Sequence, residues 1–251
     1  MLKKDLKKIG NIKKAYVQTW KENWVNEAAY VASMGCEVLG IPIERFDYND
    51  IGALDINKDT LVVGGVTAVR HAMTLLGVKP PEPIDLPEEL IPFTNRKIGR
   101  GTIKHFVEQG EFPLFVKPTL PKLFTGAVIS SAEELDMFKY TAIQGEDLEL
   151  ITSSVVKFVS EYRTFVIEGH AYDCRKYSGD HRIIPDFAFI DHVIKRYPSQ
   201  PISYSIDFGV TDKGETQLIE VNDGYSLGTY GFDCYNYLRM LILRWNQILE
   251  K

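Results

Sequence analysis

Apolar and polar residues alternate along 202–211 and again along 216–223, the period of strands with one face against a core. Asp212-Lys-Gly-Glu215 lies between them, and Gly214 supplies the backbone freedom of a tight hairpin. Stretches 158–169 and 170–177 predict a second hairpin, and 114–117, 126–130 and 148–156 three further strands. The first third reads differently. Strands are predicted at 15–20, 37–43 and 60–63, with a helix at 23–34 carrying Trp24, Ala28 and Val31 on one face and another at 67–76. Helical spacing recurs at 100–109, closed by Gly110, at 186–196, ended by Pro198, and from the cap Ser131 to about Ala142. A final helix at 232–249 has Tyr235, Leu238, Leu241, Ile242 and Trp245 on one stripe, which suits internal packing or a dimer face. Five prolines between 80 and 92 resist helix and central strand and read as a linker. The expected class is α/β with α+β lobes.

Composition adds limits. The 251 residues are 45% hydrophobic and 25% charged, ordinary for a soluble globular chain with a sizeable core. A net charge of −5 argues against a broad nucleic-acid surface, so no nucleic-acid partner is expected. Residues 1–14 hold six lysines and one aspartate, read as a solvated basic terminus. No apolar run has the length of a membrane span and no apolar segment follows the lysines, so neither membrane nor secretion is expected. Three widely spaced cysteines fit a reducing cytoplasm, and neither they nor the five histidines have zinc-ligand spacing.

The chemistry-bearing residues cluster in the second half. Asp207 lies on one predicted strand, and Glu220 and Asn222 lie two apart on its partner, so the last two share a face. Two carboxylates and an amide oxygen are hard ligands that suit Mg²⁺. Asp207-Phe-Gly209 spells the kinase metal tripeptide, but no His-Arg-Asp catalytic loop precedes it. Lys117 ends a buried strand, where its ammonium needs a counter-charge such as phosphate or must snorkel to water. Lys122, Thr125 and Gly126 follow in a loop. Arg163 and Arg175 fall on paired strands, able to grip a carboxylate or phosphoryl group, or to pair with Glu161 or Glu168. Gly64-Gly65 before a helix offers an anion loop or simply a tight turn.

Taken in order, VKP at 116–118, KLFTG at 122–126, EYRTFVIEG at 161–169, YSIDFGV at 204–210 and LIEVNDGYSLGTYG at 218–231 resemble the ATP-grasp superfamily of carboxylate–amine ligases. In detail they resemble a bacterial and phage clade named for two arginines and one lysine. The resemblance implies an ATP-grasp fold over 93–251, with a central lobe at about 93–156 and a C-terminal lobe at about 157–251. Residues 1–92 would hold the basic segment and an α/β pre-ATP-grasp domain. It implies ATP and Mg²⁺, with Asp207, Glu220 and Asn222 on the metal. Lys117 would sit on the α-phosphate and adenine edge. Ser154, Val155, Val156 and Lys157 would form the adenine hinge, and Lys122 and Thr125 a loop over the phosphates. Arg163 and Arg175 would be the two arginines on phosphoryl oxygens or substrate carboxylate. Ser205 stands where many such ligases carry an arginine, a role that passes to Arg175. The upstream phosphate cation is Lys97, Arg100 or Lys104. The implied reaction joins a small-molecule or peptide carboxylate to an amine. The alternatives are a small-molecule kinase on the same scaffold and a non-catalytic nucleotide-binding module.

Overall fold

A computed structural model describes residues 12–119, 123–141 and 147–250. Three four-stranded sheets form among the described residues. In the first, β1 (Lys14–Trp20) is central, flanked in parallel by β3 (Ile43–Asp47) and β4 (Thr60–Val63), while β2 (Asn23–Trp24) folds back on its end. Helix α1 (Glu27–Leu39) links β2 to β3, and α2 (Val66–Leu75) follows β4.

Two expectations shift here. The first helix starts at Glu27 and not at 23, because Lys21 and Glu22 turn the chain at positive φ and the Asn26 side chain then caps the Ala29 N–H. It also runs through 37–39, which the sequence reading assigned to a strand. Gly40, left-handed at φ 67°, ends it, and the strand begins at Ile43.

The second sheet is antiparallel, in the order β5 (Ile98–Thr102), β8 (Glu149–Ser154), β6 (Leu114–Pro118), β7 (Ala127–Ile129). The helix expected from 100 begins only at Ile103: α3 is Ile103–Gln109, and Thr102 caps it through the His105 N–H. Gly99 and Gly101 favour strand pairing over helix, since glycine is costly in a helix and a side chain at either would strike Phe106 or His105. Ser131 caps the short α4 (Ala132–Asp136) as expected, and a 3₁₀ turn follows. The expected helix end at Ala142 lies outside the described residues.

The third sheet, β10 (His170–Gly179), β9 (Phe158–Ile167), β11 (Ser203–Thr211), β12 (Thr216–Asp223), contains both predicted hairpins. One face packs Val166, Tyr204, Ile206, Phe208, Leu218 and Val221 against α5 (Phe187–Lys195). The opposite face joins the first core at Phe165 and Ile167. That core also takes α6 (Cys234–Leu249), whose apolar stripe packs internally against α1 and the first sheet. The Trp245 indole N–H donates to the Thr60 carbonyl at 2.9 Å within it. Burying each such large side chain contributes about 1.5–3 kcal/mol.

The proline-rich stretch is not a free linker. Leu86 and Leu90 are buried in the second core, and Asp85 bridges Val221 of β12. No helix of the described residues is long and apolar enough to cross a membrane.

Gly35 marks the closest approach of α1 to α6. A Cβ there would lie 2.7 Å from that of Leu238 and strike the Cys234 carbonyl. Gly35→Ala is expected to cost about 1–3 kcal/mol by overpacking. Gly52→Ala, with open space around it, should cost far less. Urea unfolding of both variants checks the difference.

Candidate active site

Register builds the site. Arg175 opposes Arg163, Arg163 opposes Asp207, and Asp207 opposes Glu220. Four charged residues therefore form one row across β10, β9, β11 and β12, on the face opposite Tyr162, Thr164 and Ile206. The strand period also puts Asn222 beside Glu220, and its amide donates to Glu220 Oε1 at 3.0 Å.

Arg163 and Asp207 form a bidentate pair, Nε to Oδ1 at 2.9 Å and Nη2 to Oδ2 at 2.7 Å, both residues buried. Tyr230 lies over the guanidinium at 5.1 Å and stacks on Tyr177, whose hydroxyl donates to Glu161. Neither Glu161 nor Glu168 pairs with the two arginines. Arg175 is half exposed and pairs with Asp173, whereas Glu168 pairs with Arg239.

Between Asp207 and Phe208 the ladder slips. Phe208 opposes Leu218, leaving Ile219 as the extra residue of a β-bulge. A bulge frees backbone carbonyls, and Arg96 takes them: its Nη2 donates to Leu218 O at 3.1 Å and Ile219 O at 2.8 Å.

A cavity of about 320 Å³ opens here between the second and third sheets. Ile98, Phe115, Ile151, Phe158 and Ile219 give it apolar walls, and Ser154, Val155 and Val156 form one edge. Lys117, Arg96, Asp85, Glu161 and Glu220 give it a charged end. The Lys117 ammonium meets Glu220 Oε2 at 3.2 Å and also Asp85.

Burial pushes the Asp207 carboxyl up to about 6, against the pull of Arg163 and with the help of the Glu220 and Glu161 charges. Burial acts on Glu220 in the same direction, but the Lys117 charge, the Asn222 amide and Arg163 outweigh it and hold Glu220 below its ordinary range. Burial likewise opposes the charge of Arg163, and Asp207 overrides it, holding the guanidinium above its usual range. Arg96 is lowered by burial, partly offset by Asp85 and Glu220.

The structure thus brings Lys117 and Glu220 together on the cavity wall with 154–156, whereas Arg163, Asp207 and Asn222 adjoin Glu220 in the charged row and do not line the cavity. Lys157 and Thr125 are exposed and do not line the cavity, and Lys122 lies outside the described residues. Of the three upstream cations considered, Lys97 pairs with exposed Glu111, Lys104 sits near Glu108, and Arg100 reaches the Leu86 carbonyl. Arg96, Asp85 and Glu161 are the charged lining residues that the sequence reading did not select. Gly64-Gly65 is a close packing point. The Gly65 N–H donates to Gln18 Oε1 at 2.9 Å, and a side chain at Gly64 would collide with Gln18.

Glu220 and the Asn222 amide oxygen are hard donors that fit a divalent cation, whereas both oxygens of the expected third ligand, Asp207, are taken by Arg163. Among the described residues no three His, Cys, Asp or Glu side chains gather as a metal cage. A cation here would therefore draw on the amide and on ligand oxygens besides the Glu220 carboxylate.

Comparison with solved structures finds this fold in several ligases and synthases. A D-alanine–D-alanine ligase from Bacillus anthracis is 13% identical with a TM-score of 0.59, covering 94% of this chain and 98% of that one. An N5-carboxyaminoimidazole synthase from Aspergillus clavatus, solved with ADP and 5-aminoimidazole ribonucleotide, is 12% identical with a TM-score of 0.58, covering 92% and 77%. A D-cycloserine synthetase is 10% identical with a TM-score of 0.59, covering 93% and 99%. The fold is ATP-grasp. Residues 93–240, more than half of the chain, match the ATP-grasp domain, R-two-K clade family 2, and the chain belongs to that family. No curated protein matches it.

One consequence concerns pH. Asp207 binds its proton more tightly in the folded chain than its ordinary value of 3.8 allows when unfolded. Its contribution to stability is therefore complete below that value and lost as pH rises through about 6. Asp207→Asn, which does not titrate, is expected to flatten the stability profile between those limits. Urea unfolding across the same pH range measures it.

Proposed function

We propose that the protein is an ATP-dependent carboxylate–amine ligase. The observation that carries this reading is the meeting of Glu220 with the Lys117 ammonium at the charged end of a largely apolar cavity, with Asn222 bonded to Glu220 and the buried Arg163–Asp207 pair next in the row. Apolar walls suit a purine, and 154–156 line the cavity where strand β8 ends, so that their backbone lies beside it. The charged end suits a polyphosphate. The ATP-bound form of the Bacillus anthracis ligase, with a TM-score of 0.55, supports the choice of nucleotide.

In this reading 1–92 precedes the ATP-grasp lobes of 93–251, and 154–157 is the hinge between those lobes. Lys117 holds the phosphate chain near the base, and Arg96 adds positive charge from the cavity wall. Glu220 and Asn222 would hold Mg²⁺, which when bound neutralises phosphate charge, while Asp207 stays on Arg163. The substrate carboxylate oxygen attacks the γ-phosphorus, the bond to the β-phosphate oxygen breaks, and ADP leaves. An amine then attacks the acyl carbon, loses a proton, and inorganic phosphate departs. For such transfers the chain's work is alignment and charge stabilisation. Arg163 does this from a fixed position, because Asp207 and Tyr230 immobilise its guanidinium. Arg175, half exposed at the end of the row, is the arginine free to exchange Asp173 for a substrate carboxylate. The three free cysteines support a cytoplasmic setting.

Glu220→Ala, Asn222→Ala and Lys117→Ala are each expected to lower ADP formation by about 10²-fold or more with the fold retained. Candidate acids are screened with hydroxylamine present. Hydroxamate formation marks the acyl phosphate, whereas ADP release without hydroxamate points to hydroxyl phosphorylation. Near-normal turnover of Glu220→Ala overturns the assignment.

A further inference from the structure

Lys117, the ammonium that the proposed function gives to phosphate, is already engaged by two carboxylates. Glu220 belongs to the third sheet, but Asp85 comes from the proline-rich strap. The chain fixes Asp85 from both sides. Its carbonyl accepts from the Val221 N–H at 2.6 Å, one residue from Glu220, and its neighbour Leu86 is buried in the second core. Its backbone is left-handed, at φ 53°, a conformation few residues other than glycine tolerate and aspartate is one of them. One carboxylate oxygen meets Lys117, and the other is buried without a hydrogen-bond partner. A strained backbone and a half-satisfied carboxylate are both unfavourable, so the contact with Lys117 is what the local structure is arranged around.

We infer that Asp85 is a positioning residue that stands in for phosphate on Lys117 and competes with the nucleotide's phosphates for it, so that it sets how strongly the cavity holds polyphosphate relative to base. The inference rests on the nucleotide reading above. At the charged end the three carboxylates Asp85, Glu161 and Glu220 stand against two cations, Lys117 and Arg96. A metal-free polyphosphate entering this end therefore meets little net attraction. Asp85 cannot swing far, because its backbone is pinned to β12, and its charge stays within a few ångströms of any group that takes the ammonium. Adenosine, which has no phosphate, is indifferent to this competition.

The test is calorimetric titration of the full chain with ADP and with adenosine, both in EDTA at low salt. Asp85→Asn keeps the left-handed backbone and removes the charge. It should tighten ADP tenfold or more and change adenosine less than twofold. In a Lys117→Met background the same substitution should alter ADP less than threefold, because the contested ammonium is gone. If Asp85→Asn does not melt cooperatively, Asp85→Gly, which suits the same φ, replaces it. Unchanged or weaker ADP binding overturns the inference. So does an equal change for ADP and adenosine, which would mark a structural role. Wild-type protein that binds neither ligand, with Mg²⁺ or without, overturns the nucleotide reading and this inference with it. Wild-type binding of ADP with no response to Asp85→Asn overturns the inference alone.

Discussion

The buried Arg163–Asp207 pair is the contact on which the rest of the third sheet depends. It joins β9 to β11 through two short hydrogen bonds on a face where Asp207 is almost wholly excluded from water. Separating the partners would leave an uncompensated charge in a dry place, a cost of about 3–5 kcal/mol. The pair therefore fixes register as well as charge. A slip of one residue on β11 would turn Asp207 toward Ile190 and Val193 and send Ile206 or Phe208 to the polar face. Glu220 and Arg175 then follow, because the hairpins on either side carry that register outward.

The two carboxylates of the row are driven apart by their surroundings. Asp207 has a single cationic partner and deep burial, whereas Glu220 faces an ammonium, an amide and open cavity. At neutral pH both are ionised, but Glu220 is held more firmly so. The bulge at Ile219 contributes to this asymmetry. It brings Glu220 back into line opposite Asp207 while turning two carbonyls toward Arg96, whose charge then stands at the same end of the cavity.

Much of this was legible in the sequence because strand period is a strong signal. Asp207, Glu220 and Asn222 could be placed on facing strands from alternation and the Gly214 turn alone, and 216–223 and 60–63 match the observed strands residue for residue. Arg96 was not legible. Its site exists only because of a bulge 122 residues later, and no local pattern announces a bulge. Asp85 was hidden for a related reason: prolines announce a break in regular structure, and say nothing of where the broken segment is tied down. The end of α1 is misplaced by the sequence because Val38, Ile41 and Ile43 are good strand formers, and Gly40 rather than propensity decides where that helix stops. The end of strand β5, 100–102, reads as helix in the sequence because its glycines matter only through β8 and Phe106, which are distant in sequence or in the next element.

The face that carries the charged row is not polar along its whole length. From Glu161 and Arg163 it passes to Phe165 and Ile167, which pack with Phe232 and α6 in the core of the first sheet. Ser203, on the same face of β11, donates to the Met240 carbonyl of that helix. The dryness around Asp207 is thus supplied in part by α6, which is itself held by α1 and by the Trp245 bond to Thr60. Loosening the first sheet would let water reach the apolar end of the row, lower the cost of charging Asp207, and weaken its grip on Arg163 in the same step. The first sheet and α1 therefore bear on the candidate site through α6, by keeping water from one end of the charged row in which the arginine–aspartate pair operates.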